Sequence, residues 1–332
     1  MNTTFTRKLG RSGLQVSAMG LGCWAIGGAY WKGKAAVGWG NVNDEESIRA
    51  IHRALDLGIT FFDTADKYGT GHSERLLAQA LKGHRHRVVI ATKFGITFDE
   101  TSRQLTGRDA SPEYIRQACE ASLRRLNCEY IDLYQFHLGQ YDHSQAGVVR
   151  DVLEDLVAEG KIRYYGWSND SPEANRIFAK GPNCSAVQHQ LNVLYDAAPM
   201  LTLCEELNLA SINRTPLAMG LLTGKYRVDS VLPFDDVRGN KGNKGPSWMR
   251  FFKDGKPNPE WFNKLNSIRE ILTSSGRTLA QGALAWIWAR SEKTIPIPGF
   301  KSVAQVEENS AAMQFGPLSA EQLREIDILI GR

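Results

Sequence analysis

Residues 60–68 read TFFDTADKY, a short apolar run that ends in a carboxylate and is followed five residues later by a phenol. A buried strand that ends in Asp63 requires a partner for the carboxylate. Lys93 ends the next apolar run and His137 follows the one after it. A lysine ammonium near Tyr68 would lower the phenol's pKa, and a phenol tuned in this way can transfer a proton. These four side chains predict a site that reduces a carbonyl group with a separate hydride donor.

Each of the four residues also has a purely structural interpretation. Asp63 could cap a helix or a turn, and Tyr68 could cover its own loop. Lys93 could extend its ammonium to solvent, and His137 could be a hydrogen-bonded core residue. Singly, these interpretations are favoured for all but Asp63. Four such residues at three successive strand ends instead favour one shared site.

The elements that would position these residues alternate along the chain. Apolar runs are followed by helical patterns, which predicts a parallel sheet covered by helices on both faces. The runs are AMGLGC (18–23), TFFD (60–63), RVVIATK (87–93), YIDLYQF (130–136), IRYYGWS (162–168), SAVQHQ (185–190), LASIN (209–213) and TIPI (294–297). Eight such units predict an α/β fold, a single (β/α)8 TIM barrel spanning residues 1–332. A doubly wound sheet is the alternative, but the first run lacks the expected glycine spacing.

Helical patterns occupy the intervals between these runs. One covers 43–58 and begins with a capping box of Asn43 and Glu46, and another covers 111–127 with Ser111 at its cap. Before the first run, residues 6–19 predict a β-hairpin that closes the barrel floor. The polar stretch 223–258 is too long for a connector and predicts a loop that covers a ligand.

Several blocks of this sequence resemble the aldo-keto reductase family. They are FFDTADKYGTGHSE (61–74), ATKFG (91–95), IDLYQFH (131–137), GWSN (166–169), LAMGLLTGKY (217–226) and PIPGFKSVAQVEENSAA (296–312). The resemblance spans roughly residues 5 to 325. Within the family, the sequence resembles the branch that includes the potassium-channel β subunits. It implies a barrel that reduces aldehydes or ketones with NADP(H). It also implies that Tyr68 is the general acid, that Lys93 held by Asp63 tunes it, and that His137 places the carbonyl.

The resemblance further implies which residues bind the cofactor. Trp24 would lie beside the nicotinamide, and Ser168, Asn169 and Gln188 would hold its carboxamide. The remaining cofactor positions are Cys23, Asp63, Arg214, Thr215, Pro216, Leu217, Met219, Lys225, Arg238, Gly299, Lys301, Gln305, Glu308 and Asn309. Lys301 at the start of the last helix would bind a 2′-phosphate, and Ser302 with Gln305 also fits a capping box.

The predicted substrate pocket consists of Trp24, Tyr30, Trp31, Phe94 and His137. The aromatic residues would favour an apolar or ring-bearing carbonyl compound, although they could equally be packing residues of a long loop. The stretch HLGQYDH (137–143) departs from the family pattern, so the resemblance does not carry over the substrate class.

Two other positions differ from many relatives. Cys23 stands where a Thr is frequent, which puts a hydrogen bond to the ribose in doubt. Arg214 stands where an aromatic residue usually stacks on the nicotinamide. Its planar guanidinium could stack there, pair with an anionic substrate, or form a salt bridge to a carboxylate elsewhere.

Composition narrows the remaining function classes. The chain has 332 residues with a formal charge of +4, which is too mild to indicate nucleic-acid binding. Its five cysteines form no CxxC pair, and its histidines form no metal-binding motif. No signal sequence or membrane-spanning run is evident, so a cytoplasmic protein with a small-molecule carbonyl substrate is predicted. The oligomeric state stays open. A redox-sensing regulatory subunit with slow turnover is the alternative function.

Overall fold

The computed structural model describes residues 5–239 and 249–332. Within these residues, eight parallel strands pair in chain order around one sheet, as the alternating pattern predicts. They are β1 (Leu21–Gly22), β2 (Phe61–Asp63), β3 (Val89–Phe94), β4 (Ile131–Phe136), β5 (Ile162–Ser168), β6 (Cys184–Gln190), β7 (Ala210–Arg214) and β8 (Thr294–Pro296).

The sheet closes on itself between β8 and β1. The Gly22 amide donates a hydrogen bond to the Pro298 carbonyl at 3.0 Å, and Gly22 bridges in parallel to Gly299. The two backbones approach so closely that a Cβ at Gly22 would lie 2.7 Å from the Ile297 carbonyl oxygen. Glycine is therefore required at this seam, and the predicted (β/α)8 barrel is confirmed.

Ten α-helices surround the barrel in the part of the chain that the structure describes. They are α1 (Asp44–Asp56), α2 (His72–Ala80), α3 (Pro112–Leu126), α4 (Ala146–Ala158), α5 (Pro172–Phe178), α6 (Ala198–Glu206), α7 (Pro259–Thr273), α8 (Leu279–Arg290), α9 (Val303–Phe315) and α10 (Ala320–Ile330). Helix α10 was not predicted from the sequence. None of the helices in the described ranges is long and apolar enough to cross a membrane.

The cap at the start of α1 forms as the sequence predicts, but the second half of its capping box does not. The Asn43 side chain accepts a hydrogen bond from the Glu46 amide at 2.9 Å, as expected of a helix cap. The Glu46 carboxylate does not complete the predicted capping box. It accepts from Arg49 and from the Val303 amide instead, so it links α1 to the first turn of α9.

The N-terminal hairpin lies where the sequence predicts it, at the barrel floor. Its strands Thr6–Lys8 and Gln15–Ser17 pair antiparallel. Leu9 and Val16 pack with barrel-interior residues such as Phe61, and Arg11 donates to the carbonyl of Cys184, the first residue of β6. The opposite rim, at the strands' C-terminal ends, is left open.

A second hairpin on that open rim was not predicted. Ile96–Asp99 and Gln104–Arg108 pair antiparallel after β3, and Trp31–Lys32 and Ala35–Ala36 extend them into a four-stranded sheet. This sheet forms a wall beside the barrel mouth. The predicted covering loop at 223–258 lies partly outside the described residues.

Candidate active site

Lys93 and Asp63 form a buried ion pair at the open rim. The Lys93 Nζ donates to Asp63 Oδ1 at 2.5 Å and to the Thr64 carbonyl oxygen at 2.7 Å. The same Nζ lies 3.4 Å from the Tyr68 hydroxyl. Lys93 is fully buried and Asp63 is 2% exposed, so neither charge is solvated and each depends on its protein partners.

The second oxygen of Asp63 is bonded as well. Asp63 Oδ2 accepts from Gln135 Nε2 at 3.0 Å and from Gln188 Nε2 at 2.7 Å. Gln135 pairs in register with Lys93, so both side chains lie at the same level of the barrel. Sequence reasoning missed Gln135, although a polar residue inside the apolar run YIDLYQF was an available signal.

Tyr68 differs from its prediction in one respect. Burial and then the Asp63 carboxylate raise the pKa of its phenol well above its ordinary value, while Arg214 opposes this shift. The expected lowering by Lys93 is therefore outweighed. The phenol consequently keeps its proton at neutral pH, which is the state that a proton donor requires.

His137 is neutral in this environment. Burial lowers the pKa of its imidazole well below the usual value, and the charges of Lys67, Lys93 and Arg214 lower it further. Its ring centroid lies 6.0 Å from that of Tyr68. The buried Nδ1 atom has no hydrogen-bond partner among the described residues.

A cavity of about 960 Å³ opens over these residues and contains almost all of the predicted cofactor positions. Its lining includes Trp24, Asp63, Ser168, Asn169, Gln188, Arg214, Thr215, Pro216, Leu217, Met219, Lys225, Arg238, Gly299, Lys301, Gln305, Glu308 and Asn309. Cys23 is the exception. It is fully buried among apolar residues, and its thiol contacts the Leu21 carbonyl.

The structure separates the predicted substrate-pocket residues. Trp24, Tyr30 and His137 line the cavity. Trp31 and Phe94 do not, because Trp31 joins the outer sheet and Phe94 is fully buried against Tyr134 at a ring distance of 4.5 Å. The unpredicted hairpin instead contributes Ile96, Leu105 and Arg108 to the cavity wall.

The sequence pattern of the aldo/keto reductase family matches residues 18–330. The chain belongs to this family.

Relatives of known sequence and structure agree with that assignment. "Probable aldo-keto reductase 1" of Glycine max is 34% identical over 324 residues, covering 96% of this chain and 87% of the relative. "Aldo-keto reductase yakc [NADP(+)]" of Schizosaccharomyces pombe is 31% identical over 330 residues, covering 97% and 90%. The structure of the glycerol dehydrogenase AKR11B4 from Gluconobacter oxydans superposes with a TM-score of 0.81 at 30% identity, covering 99% and 96%.

In this aldo/keto reductase, Arg214 has a carboxylate partner. Its Nη2 donates to Asp170 Oδ2, and both side chains line the cavity. Of the alternatives left open by the sequence, the structure therefore has the salt bridge. Asp170 also accepts from the Gln190 amide at 2.8 Å, which fixes its position at the end of β6.

The loop after β7 has an unusual backbone. Thr215, Ala218 and Met219 all adopt positive φ angles without being glycine. Such left-handed residues are uncommon and concentrate at ligand-binding sites. The Met219 carbonyl accepts from Arg238, whose guanidinium also pairs with Asp236 at 2.6 Å. Arg238 is thus neutralised and holds this loop against the rest of the cavity.

Backbone amides at the start of α9 already donate hydrogen bonds to side chains of this protein. The Val303 amide donates to Glu46 Oε1 at 2.9 Å, and the Lys301 amide donates to Gln305 Oε1 at 2.7 Å. Ser302 accepts from the Gln305 amide, so half of the predicted capping box is present. The Lys301 ammonium donates to the Trp39 carbonyl and connects this helix to the first loop, the segment between β1 and α1.

Proposed function

We propose that this chain catalyses the NADPH-dependent reduction of an aldehyde or ketone to an alcohol, with Tyr68 as proton donor. The observation that carries the proposal is the contact of a protonated, buried phenol with the Lys93–Asp63 ion pair at the base of a large cavity. The yeast relative's name includes NADP(+), which supports the choice of cofactor.

The residues present fit a nicotinamide dinucleotide. Gln188 Nε2 donates to Asp63 and to Gln135. The Gln188 Oε1 atom can therefore accept a hydrogen bond from a carboxamide. Ser168 and Asn169 lie beside it at the end of β5. Lys225 and Lys301 also line the cavity and add positive charge that would attract phosphates.

The catalytic contribution of this chain is to polarise and protonate the substrate oxygen. When bound, NADPH would supply the hydride for the carbonyl carbon. Neutral His137 donates a hydrogen bond to the carbonyl oxygen and fixes its position, since an imidazole in this state retains one N–H. Tyr68 transfers its phenolic proton to that oxygen as negative charge develops there.

Lys93 stabilises the phenolate that remains after the transfer. Its ammonium lies 3.4 Å from the phenol oxygen and is held in place by Asp63. Solvent then returns the proton to Tyr68 after the alcohol leaves. Asp63, Gln135 and Gln188 act through Lys93 and serve as positioning residues.

The second candidate is a redox-sensing regulatory subunit like the potassium-channel β subunits. The presence of the same four residues does not distinguish such a subunit from an enzyme. Such a subunit would bind the cofactor tightly and oxidise it once. The relatives named as a reductase and as a glycerol dehydrogenase favour the enzyme.

The test is to count turnovers. NADPH oxidation is followed by absorbance in excess NADPH with aldehydes, ketones and sugars as separate substrates. Many moles oxidised per mole of protein at a constant rate support the reductase. A single stoichiometric oxidation followed by slow cofactor release supports the sensor and contradicts the proposal.

A further inference from the structure

Lys67 is a cation in the cavity that the proposed mechanism does not use. It directly precedes Tyr68, its side chain is half-buried, and it lines the cavity. Burial lowers the pKa of Lys67 to about 8, and the charges of Lys93, Arg108 and Arg214 add to this against the opposing effect of Asp66. Lys67 therefore stays mostly protonated at neutral pH. It forms no ion pair with any residue in the ranges 5–239 and 249–332.

Arg108 is a second such cation. It ends the unpredicted hairpin, lines the same cavity and is exposed to solvent. Its guanidinium likewise forms no ion pair within the described part of the chain. Lys67 and Arg108 line the same cavity, and the charge of Arg108 contributes to the lowered pKa of Lys67.

The other cations near Tyr68 are neutralised by carboxylates. Lys93 pairs with Asp63, and Arg214 pairs with Asp170. Lys67 and Arg108 are thus cations in the cavity that no ion pair of the described residues neutralises, although the Asp66 carboxylate acts on Lys67 from the same loop. Two cations near each other repel, and a bound anion would remove that repulsion.

These two cations line the same cavity as His137, and we call this part of it the substrate end. The charge of Lys67 acts directly on His137, the residue proposed to hold the carbonyl oxygen. Ile96 and Leu105 line the cavity on the same hairpin as Arg108 and supply an apolar surface. A molecule bound here would contact cations and apolar side chains together.

We propose that the substrate is a carbonyl compound that also carries an anionic group, a carboxylate or a phosphate, which Lys67 and Arg108 bind. The inference rests on the proposed carbonyl reduction and names its substrate class. Lys67 supplies a point charge next to the proton donor, and Arg108 supplies a planar fork that fits an oxyanion. Both act as specificity residues and take no part in proton transfer.

The test compares charged and neutral members of matched substrate pairs. The carboxylate pair is para-carboxybenzaldehyde and its methyl ester, and the phosphate pair is glyceraldehyde phosphate and glyceraldehyde. Hydrogen bonds between charged groups contribute enough to change affinity by roughly 10-fold to 100-fold. In at least one pair, we expect kcat/KM for the charged member to exceed that of the neutral one by this factor. The pair with the larger ratio identifies the anion.

Variants assign the preference to the two side chains. Lys67→Met and Arg108→Gln should each raise KM for the charged substrate about ten-fold and leave kcat and KM for its neutral partner within about two-fold. Lys82→Met removes an exposed lysine outside the cavity lining and should change neither ratio. Added salt should reduce the preference, chiefly at the exposed Arg108.

The outcomes separate this inference from the proposed function. Sustained turnover of neutral substrates without any preference for the charged ones upholds the reductase and refutes the anion site. A preference that both variants retain also refutes it. Absence of turnover with every carbonyl refutes the proposed function, and the inference with it. Binding of benzoate to the protein–NADP⁺ complex, lost in Lys67→Met, is an independent check of the carboxylate arm.

Discussion

The two ends of the cavity's catalytic region are built differently. At the proton-donor end, the ion pair that supports Tyr68 is formed by strand residues, since Asp63, Lys93 and Gln135 are buried and Asp63 bonds both of the others. The substrate end is formed by loops and a hairpin, where Lys67 and Arg108 are partly exposed and have no carboxylate partner in the described residues. The strands therefore hold the buried ion pair, while Tyr68 and the cations proposed to select the substrate lie on the loops and the hairpin above it.

The largest expected effect comes from breaking the buried ion pair. Lys93→Met leaves the Asp63 carboxylate buried without its cation, which should lower the free energy of unfolding by about 3–5 kcal/mol. Chemical denaturation measures this change. Lys82→Met, at an exposed position, should have an effect within about 0.5 kcal/mol.

A double variant tests the physical reason for that loss. Asp63→Asn combined with Lys93→Met removes both charges and should recover part of the lost stability. A double variant that is less stable than Lys93→Met alone would contradict the assigned cause.

The pH dependence sharpens the comparison at the proton-donor end. The raised pKa of Tyr68 keeps its phenol protonated, and the lowered pKa of His137 keeps its imidazole neutral. We therefore expect kcat/KM for a neutral aldehyde to stay level across neutral pH and to fall only at strongly alkaline pH. A pH–rate profile of the free enzyme checks this. A decline centred near pH 6.5, the ordinary value for histidine, would show that His137 titrates normally.

The preference between NADPH and NADH tests the proposed role of Lys301. Lys301→Ala should reduce the preference for NADPH over NADH by about ten-fold, because a charged contact with the 2′-phosphate is lost. Dissociation constants for both cofactors measure it. The ammonium also bonds the Trp39 carbonyl, so an equal loss of both affinities would mean that Lys301 only fastens the first loop.

The smallest expected effect concerns Arg214. If its guanidinium stacks on the nicotinamide, its charge repels the cationic oxidised ring and favours NADPH over NADP⁺ by about 1 kcal/mol, or several-fold. Asp170 offsets part of this charge. Arg214→Trp should therefore tighten NADP⁺ more than NADPH, and Asp170→Asn should do the reverse. An unchanged affinity ratio in both variants would show that the charge does not act on the ring.

The sequence located the buried residues around Asp63 more completely than the walls of the cavity, and the catalytic and binding roles of these residues stay predictions. Strand ends are marked by apolar runs that stop at a polar residue, and this pattern located Asp63, Lys93 and His137. Gln135 was missed because the predicted strand YIDLYQF ends at Phe136 and not at Gln135, although Gln135 pairs in register with Lys93.

The hairpin was missed for a different reason. Residues 96–108 mix polar and apolar side chains, and the hairpin packs on the outer sheet beside the barrel instead of entering it. Without that hairpin, Arg108 had no predicted place in the cavity. Trp31 and Phe94 were placed in the pocket because aromatic type alone does not reveal which face a side chain occupies. The single-domain assignment and the cytoplasmic location stay predictions.

The central claim is that Tyr68 donates the proton during carbonyl reduction, and Tyr68→Phe tests it most directly. The substitution removes only the hydroxyl that lies 3.4 Å from Lys93 Nζ. NADPH affinity, measured by fluorescence, should be retained while turnover of a neutral aldehyde falls by about 10²–10⁴-fold. A Tyr68→Phe protein that binds NADPH and turns over at a near-normal rate would contradict the account.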